Sequence, residues 1–306
     1  MWLATITGVG LGLGLRTGFH WLIRRGLRAP RLPHHTQPSE FGLSAENLFI
    51  TTKNQKKLFA WWLPCAAQPR PTLLVMHGWG SNAALMLPLV SPLLQAGFHV
   101  LLLEARCHGR SDDDSFASLP RFAEDIEAGI AFLKQHSLCQ QQPIALLGHS
   151  VGAGAALLVA SRRRDLFALV SVAAFTHPET MMRRWLASKR IPMKPIGAYI
   201  LRYVQKVIGY SFDNIAPIRS INKLRCPVLI LHGEHDQTVP MSEAQALYQA
   251  APFGLGQLRV SQGDHEGFAD MAAEAHAVVR FLRVHLDQQQ TAVSSSPQEQ
   301  LIELLE

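Results

Sequence analysis

The chain has 306 residues, of which 48% are hydrophobic, and a formal charge of +6 at pH 7 with its 14 histidines uncounted. That length and apolar content exclude a wholly disordered chain and suffice for one large α/β domain or two small ones. The basic residues form no run long enough to mark a nucleic-acid surface, and the scattered Cys65, Cys107, Cys139 and Cys226 read as buried or free thiols in a reducing compartment, without the spacing of a zinc site or the density of a disulfide scaffold.

Residues 1–28 form an apolar N-terminal segment. Trp2 to Leu15 carry no charge, and the apolar character runs on to Ile23, broken by Arg16 and His20 and closed by Arg24, Arg25 and Arg28. As one helix, Trp2 to Ile23 would span about 33 Å at ~1.5 Å per residue, enough to cross a bilayer, yet Arg16 lies inside it and its glycines weaken helix propensity. Three readings stand: a membrane anchor, a helix lying on the bilayer surface, or a helix packed on the protein itself. Gly8 with Gly12, and Gly10 with Gly14, suit close packing in lipid. In a spanning arrangement the arginines would keep the remaining chain in the cytoplasm; the alternative is a soluble cytoplasmic protein. A cleaved secretory signal is disfavoured, because no basic residue precedes the apolar run.

Residues 29–46 have linker composition, Pro30 to Pro38 above all, and the pair His34-His35 reads as a solvated turn. Asn47 to Thr52 and Lys57 to Leu63 predict a hairpin around Lys53-Asn54-Gln55-Lys56. Thr72 to Met76, Phe98 to Leu103, Ile144 to Leu147, Leu169 to Ala174, Val228 to His232 and Gln257 to Ser261 are further strands. Helical segments fall around Leu87 to Ala96 and over Phe122 to Gln135. Such alternation predicts a mostly parallel sheet covered on both faces, with a core over residues 47–175 and 225–286. Thr176 to Leu224 interrupts it with helical pattern over Pro178 to Leu186 and Ile196 to Ile208, too long for an ordinary loop. Leaving the carboxyl edge of the sheet, where ligands bind, it reads as a lid. Its Arg183, Arg184, Lys189, Arg190, Lys194, Arg202 and Lys206 form either a solvated face or an attraction for acidic substrate or anionic lipid headgroups. Asp287 to Glu306 reads as a disordered tail with a short helix at Leu301 to Leu305.

Gly148-His149-Ser150-Val151-Gly152 follows one strand and precedes the small-residue helix Ala153 to Ala160. Alone, Gly-X-Ser-X-Gly arises by chance in about one chain of this length in ten. Between strand and helix, however, it describes a sharp turn whose two glycines remove colliding Cβ atoms and whose helix N-terminus favours an oxyanion beside Ser150. A serine nucleophile needs a base, and His265, in the loop Gly263-Asp264-His265-Glu266-Gly267 after the last strand, is the choice. The imidazole needs a carboxylate, for which Asp236 is preferred over Glu234 and Asp264. Oxyanion donors are assigned to the N–H of Val151 and the N–H of Trp79, the latter against a reading of Trp79 as a hydrophobic plug.

Gly148-His149-Ser150-Val151-Gly152, His77-Gly78-Trp79-Gly80, Pro227 to Asp236 with Val239-Pro240, and Gly263-Asp264-His265 together resemble the α/β-hydrolase superfamily, in its chain order of Ser, Asp, His. Within it the likeness is to the serine esterase/lipase and serine-aminopeptidase-like branch, over about Asn47 to Leu286. The resemblance implies an eight-stranded, mostly parallel sheet with helices on both faces, a helical lid, no cofactor and no metal. Relatives read Asp-X-Arg-Gly-X-Gly-X-Ser after the strand that here precedes Glu104-Ala105-Arg106-Cys107-His108-Gly109-Arg110-Ser111, which puts that loop's geometry in question. A serine nucleophile disfavours the dehalogenase and epoxide-hydrolase branches. The leading expectation is hydrolysis of carboxylic esters or thioesters of a small-molecule acyl substrate. An acyltransferase or peptidase using the same triad, and a non-catalytic binding protein on the same fold, are the alternatives.

Overall fold

Runs of Val, Leu and Ile bounded by turns build one eight-stranded sheet: β1 (Glu46–Thr51), β2 (Lys57–Leu63), β3 (Thr72–Met76), β4 (His99–Leu103), β5 (Ile144–His149), β6 (Leu166–Val172), β7 (Val228–Gly233) and β8 (Gly256–Ser261). Their order is β1-β2-β4-β3-β5-β6-β7-β8. The hairpin β1–β2, with Thr51 opposite Lys57, and the β2–β4 pair are antiparallel; all other pairs are parallel. The computed structural model describes residues 16–294.

Every residue of β3, β4, β6 and β7 is buried, as expected of strands covered on both faces. Successive side chains enter different layers. Leu74, Leu101 and Leu146 face α3 (Leu119–Gln135) and α4 (Val151–Ala160), where Phe122, Ile126 and Ile130 recur at helical spacing. Leu73, Val100 and Leu147 face the other layer, with Leu93 of α2 (Val90–Gln95) and Val278, Phe281 and Leu282 of α9 (Met271–Ser294). Truncating any of these leucines to alanine costs about 2–5 kcal/mol.

Between β6 and β7 the chain leaves the sheet to form α5 (Pro178–Ser188), α6 (Ala198–Ile208) and α7 (Pro217–Ile221). Leu186, Ile200, Leu201 and Ile221 are buried in the α3/α4 layer, and Arg184 pairs with Glu243 of α8 (Met241–Ala250).

Several expectations are corrected. Residues 29–34 are not a free linker and His34 is not a solvated turn: its side chain is 4% exposed and its Nε2 lies 2.5 Å from the buried Glu104 carboxylate. The β6 strand begins at Leu166 and ends at Val172, because Ala173 turns into positive φ (52°) although the apolar run continues. The expected helix around Leu87 starts as a 3-10 turn (Ala83–Leu89) before α2. Helix α9 runs to Ser294, so Asp287 to Ser294 is helical and not tail; the expected terminal helix Leu301 to Leu305 lies outside the described residues.

Of the N-terminal segment, residues 16–26 form helix α1, and residues 1–15 lie outside the described residues. The α1 helix packs on α6: His20 Nε2 and the Tyr199 hydroxyl are 2.6 Å apart, and Arg24 Nε donates to the Tyr203 hydroxyl at 2.8 Å. Among the described residues no helix is long and apolar enough to cross a membrane.

Candidate active site

Ser150 stands where β5 ends and α4 begins, at φ 53° and ψ −116°, a backbone conformation that costs an L-residue about 1–3 kcal/mol and is held only by surrounding structure. Its N–H donates to the Val172 carbonyl at 2.8 Å. The flanking glycines explain themselves by distance. A Cβ on Gly148 would lie 2.3 Å from the Gly152 carbonyl oxygen, and one on Gly152 would lie 2.3 Å from the His77 carbonyl oxygen.

The loop from β8 to α9 brings His265 over the strand ends. Its Nε2 is 3.0 Å from Ser150 Oγ and its Nδ1 is 2.7 Å from Asp236 Oδ2. Asp236, in the turn after β7, has its other oxygen fixed by the N–H groups of Thr238 (2.8 Å) and Val239 (2.7 Å). Burial raises the Asp236 pKa, but the hydrogen bonds from His265, Val239 and Thr238 outweigh it and hold the carboxyl below its ordinary value. A carboxylate so held stays ionised and fixes the imidazole with Nδ1–H toward it and Nε2 free to accept from serine.

The two rejected carboxylates are engaged elsewhere. Asp264 Oδ1 accepts from the N–H groups of Glu266 and Gly267 and so shapes its own loop. Glu234 is partly exposed beside His235.

The loop after β3 passes close to the serine. A Cβ on Gly78 would lie 2.9 Å from His149 Nδ1 and 3.2 Å from Ser150 Cβ, so only glycine lets this backbone through without displacing them. Trp79 follows, 38% exposed as a residue, its ring stacked at 6.4 Å on Phe122 and edge-on to His108 at 5.7 Å. The N–H of Trp79 and that of Val151 therefore lie on the two backbone segments that flank Ser150.

Two positioning groups had no sequence signal. His149, the variable residue of the turn, meets the His265 carbonyl oxygen through its Nε2 at 2.7 Å and so ties the histidine loop to the serine turn. Burial and the neighbouring His265 lower its pKa, favouring the neutral ring. Residues 29–34 hold the loop after β3: Asn82 Nδ2 donates to the carbonyls of Leu32 and Pro33 at 3.1 Å each, and Glu104 accepts from both Ala83 N–H (3.1 Å) and His34.

The departure at Glu104 to Ser111 is also resolved. Cys107, where relatives carry glycine, takes φ 67°, so the left-handed turn is kept at the cost of strain. Glu104 Oε2 accepts from Arg110 N–H at 2.6 Å, while Arg106 is buried in a pair with Asp125, its terminal nitrogen 2.6 Å from Oδ1. Among the described residues no group of three or more His, Cys, Asp or Glu is arranged to hold a metal ion.

Residues 67–209 match the family model described as serine aminopeptidase, S33. The chain is 25% identical over 240 residues to the uncharacterized protein YfhR of Escherichia coli K12, covering 76% of this chain and 78% of that one. The solved structure of the Pyrococcus furiosus esterase Pf2001 has a TM-score of 0.69 at 22% identity, covering 85% of this chain and 99% of that chain. Est1E of Butyrivibrio proteoclasticus, solved with ferulic acid bound, has a TM-score of 0.63 at 20% identity, covering 78% and 99%. These likenesses extend across the sheet and its helical layers, and the chain has the fold of the α/β-hydrolase esterases.

Proposed function

We propose that the protein hydrolyses carboxylic esters or thioesters through an acyl-enzyme on Ser150. The observation that carries this reading is the unbroken relay of Asp236 Oδ2, His265 Nδ1, His265 Nε2 and Ser150 Oγ, at 2.7 Å and 3.0 Å. His265 takes the hydroxyl proton as Oγ attacks the acyl carbon, and Asp236 balances the imidazolium. The N–H groups of Trp79 and Val151 receive the developing oxyanion. Collapse of the tetrahedral intermediate expels the alcohol or thiol, protonated by His265. Water, deprotonated by the same imidazole, then attacks the acyl-enzyme and releases the acid.

A small cavity of about 40 Å³ beside His149 and His265 is lined by Leu85, Met86, Leu89, Val172, Leu231 and Phe268. Its size and apolar lining favour a short acyl group. The excursion α5–α7 leaves the same edge of the sheet and serves as the lid. The match to a serine aminopeptidase model makes amides the second reading.

The test is hydrolysis of p-nitrophenyl esters of increasing acyl length and of an aminoacyl anilide, with Ser150→Ala as blank. The reading expects turnover that is fastest for short acyl chains and absent in the blank. Turnover of the anilide alone would make the protein a peptidase, and turnover of neither a binding protein.

A further inference from the structure

The basic residues of this chain are concentrated on two elements. Residues 16–28 and 176–224 together carry thirteen Lys and Arg against two Asp and Glu, so with +6 overall the remaining chain is net −5. In the fold these two elements meet, as α1 against α6. They enclose a groove of about 730 Å³ whose lining includes Arg16, Arg24, Arg202, Lys206, Tyr199 and Tyr203 and no carboxylate. None of these four cations pairs with an Asp or Glu among the described residues. The crowding has an electrostatic cost: burial, then Arg16, Arg24 and Lys206, push the pKa of His20 down.

Through Arg24, Phe116, Tyr203 and Val207 the basic groove continues into a second of about 350 Å³, whose lining is largely apolar, with Ile23, Leu27, Val204 and Ile208. Beside it Trp21 and Leu22 are each 58% exposed, and Ile196 and Tyr199 of the facing element are 41% and 40% exposed. Arg25 lies over the Trp21 ring at 5.4 Å.

We propose that the α1/α6 face docks on an anionic lipid bilayer, with the four cations on lipid phosphates and carboxylates and Trp21 and Leu22 in the headgroup boundary. Charge complementarity selects the occupant. Unpaired cations beside exposed tryptophan, leucine and tyrosine are the composition of an interfacial helix, whereas a nucleic-acid surface has no use for exposed Leu22 and Ile196. The groove is also lined by Ser115 and Phe116, from the loop that leaves the carboxyl end of β4. Docking there turns the edge of the sheet that carries Ser150 toward the membrane. The inference does not depend on the reaction proposed above.

The test is co-sedimentation of the full chain with phosphatidylcholine vesicles, with and without phosphatidylserine, at about 0.1 M and about 1 M salt, where the screening length falls from roughly 10 Å to roughly 3 Å. Binding to the anionic vesicles should exceed binding to the neutral ones and should drop in high salt. Each cation near an anionic leaflet contributes about fivefold, so Arg202→Gln with Lys206→Gln should weaken anionic binding about 25-fold and leave neutral binding unchanged. Trp21→Ser should weaken both, with thermal unfolding unaltered. Equal, salt-insensitive binding of the wild-type chain to both vesicles would overturn the proposal without any variant. So would an unchanged affinity of a folded double variant, or tighter binding to a single-stranded RNA than to the anionic vesicles.

Discussion

His34→Ala separates a docked N-terminal strap from a solvated linker. In the fold the Glu104 side chain is fully buried and accepts from three donors: His34 Nε2 at 2.5 Å, Ala83 N–H at 3.1 Å and Arg110 N–H at 2.6 Å. Removing one partner of a buried pair costs about 3–5 kcal/mol. Two backbone donors survive here, so the expected loss is at the lower end, about 3 kcal/mol, with the ring contacts of His34 to Phe59 and Trp61 contributing to it.

In thermal unfolding that loss lowers Tm by about 5 °C for a chain of this size, from an unfolding entropy of about 2.1 cal/mol/K per residue. The same substitution loosens Glu104, which holds the Ala83 N–H at the end of the loop after β3, so kcat for ester hydrolysis should fall about tenfold through the loop proposed to receive the oxyanion while KM holds. Burial raises the Glu104 pKa, but its hydrogen bonds to His34, Arg110 and Ala83 outweigh that and hold it below 4.5. A carboxyl depressed on folding contributes stability that is full above its unfolded value and is lost as pH falls through the folded one. The wild-type advantage over His34→Ala should therefore shrink below about pH 4.5. A change below about 0.5 kcal/mol at neutral pH, the range of an ordinary surface site, would refute the docked strap.

His149→Ala should lower kcat about fivefold to tenfold, the worth of one hydrogen bond to the His265 loop, with partial recovery in His149→Gln, read by steady-state kinetics. Gly152→Ala places a Cβ 2.3 Å from the His77 carbonyl oxygen and 2.5 Å from that of Met76, neither of which can yield cheaply. At least about 3 kcal/mol of stability and all ester turnover should be lost, read by unfolding and activity together. His77 is pushed down to about 3, by burial first and then by His108. Its unfolded form binds a proton near pH 6.5 that the folded form refuses, so stability is full above that pH and falls by about 1.4 kcal/mol per unit below it. Denaturation between about pH 7.5 and about pH 5.5, about one unit either side of the unfolded histidine value, should show that slope reduced in His77→Gln.

Local chemistry made the sheet and the serine turn legible. Continuous Val/Leu/Ile runs have few alternatives to buried parallel strands, and Gly148 and Gly152 state the crowding around Ser150 directly. The choice of His265 and Asp236 followed from their places after strands, and the fold brings both within hydrogen-bond distance of the relay. What escaped the sequence depends on distant partners. His34 looks like a turn residue until Glu104, 70 positions away, is set against it. His149 looks like an arbitrary turn residue until the His265 carbonyl arrives, and α9 runs into Gln-rich chain because its apolar face had already been anchored by Phe281 and Leu282. Cys107 ran against the glycine pattern because a non-glycine residue can hold positive φ where its neighbours fix it.

The most direct measurement of the central claim is labelling of the full chain by a fluorophosphonate, followed by mass spectrometry of the adduct. An activated serine forms a phosphonyl ester only where a base removes its proton in the attack. The account predicts one adduct, on Ser150, with none in Ser150→Ala and labelling slowed by orders of magnitude in His265→Ala. A wild-type chain that stays unlabelled where a known serine esterase is labelled, or an adduct on another residue, would contradict it.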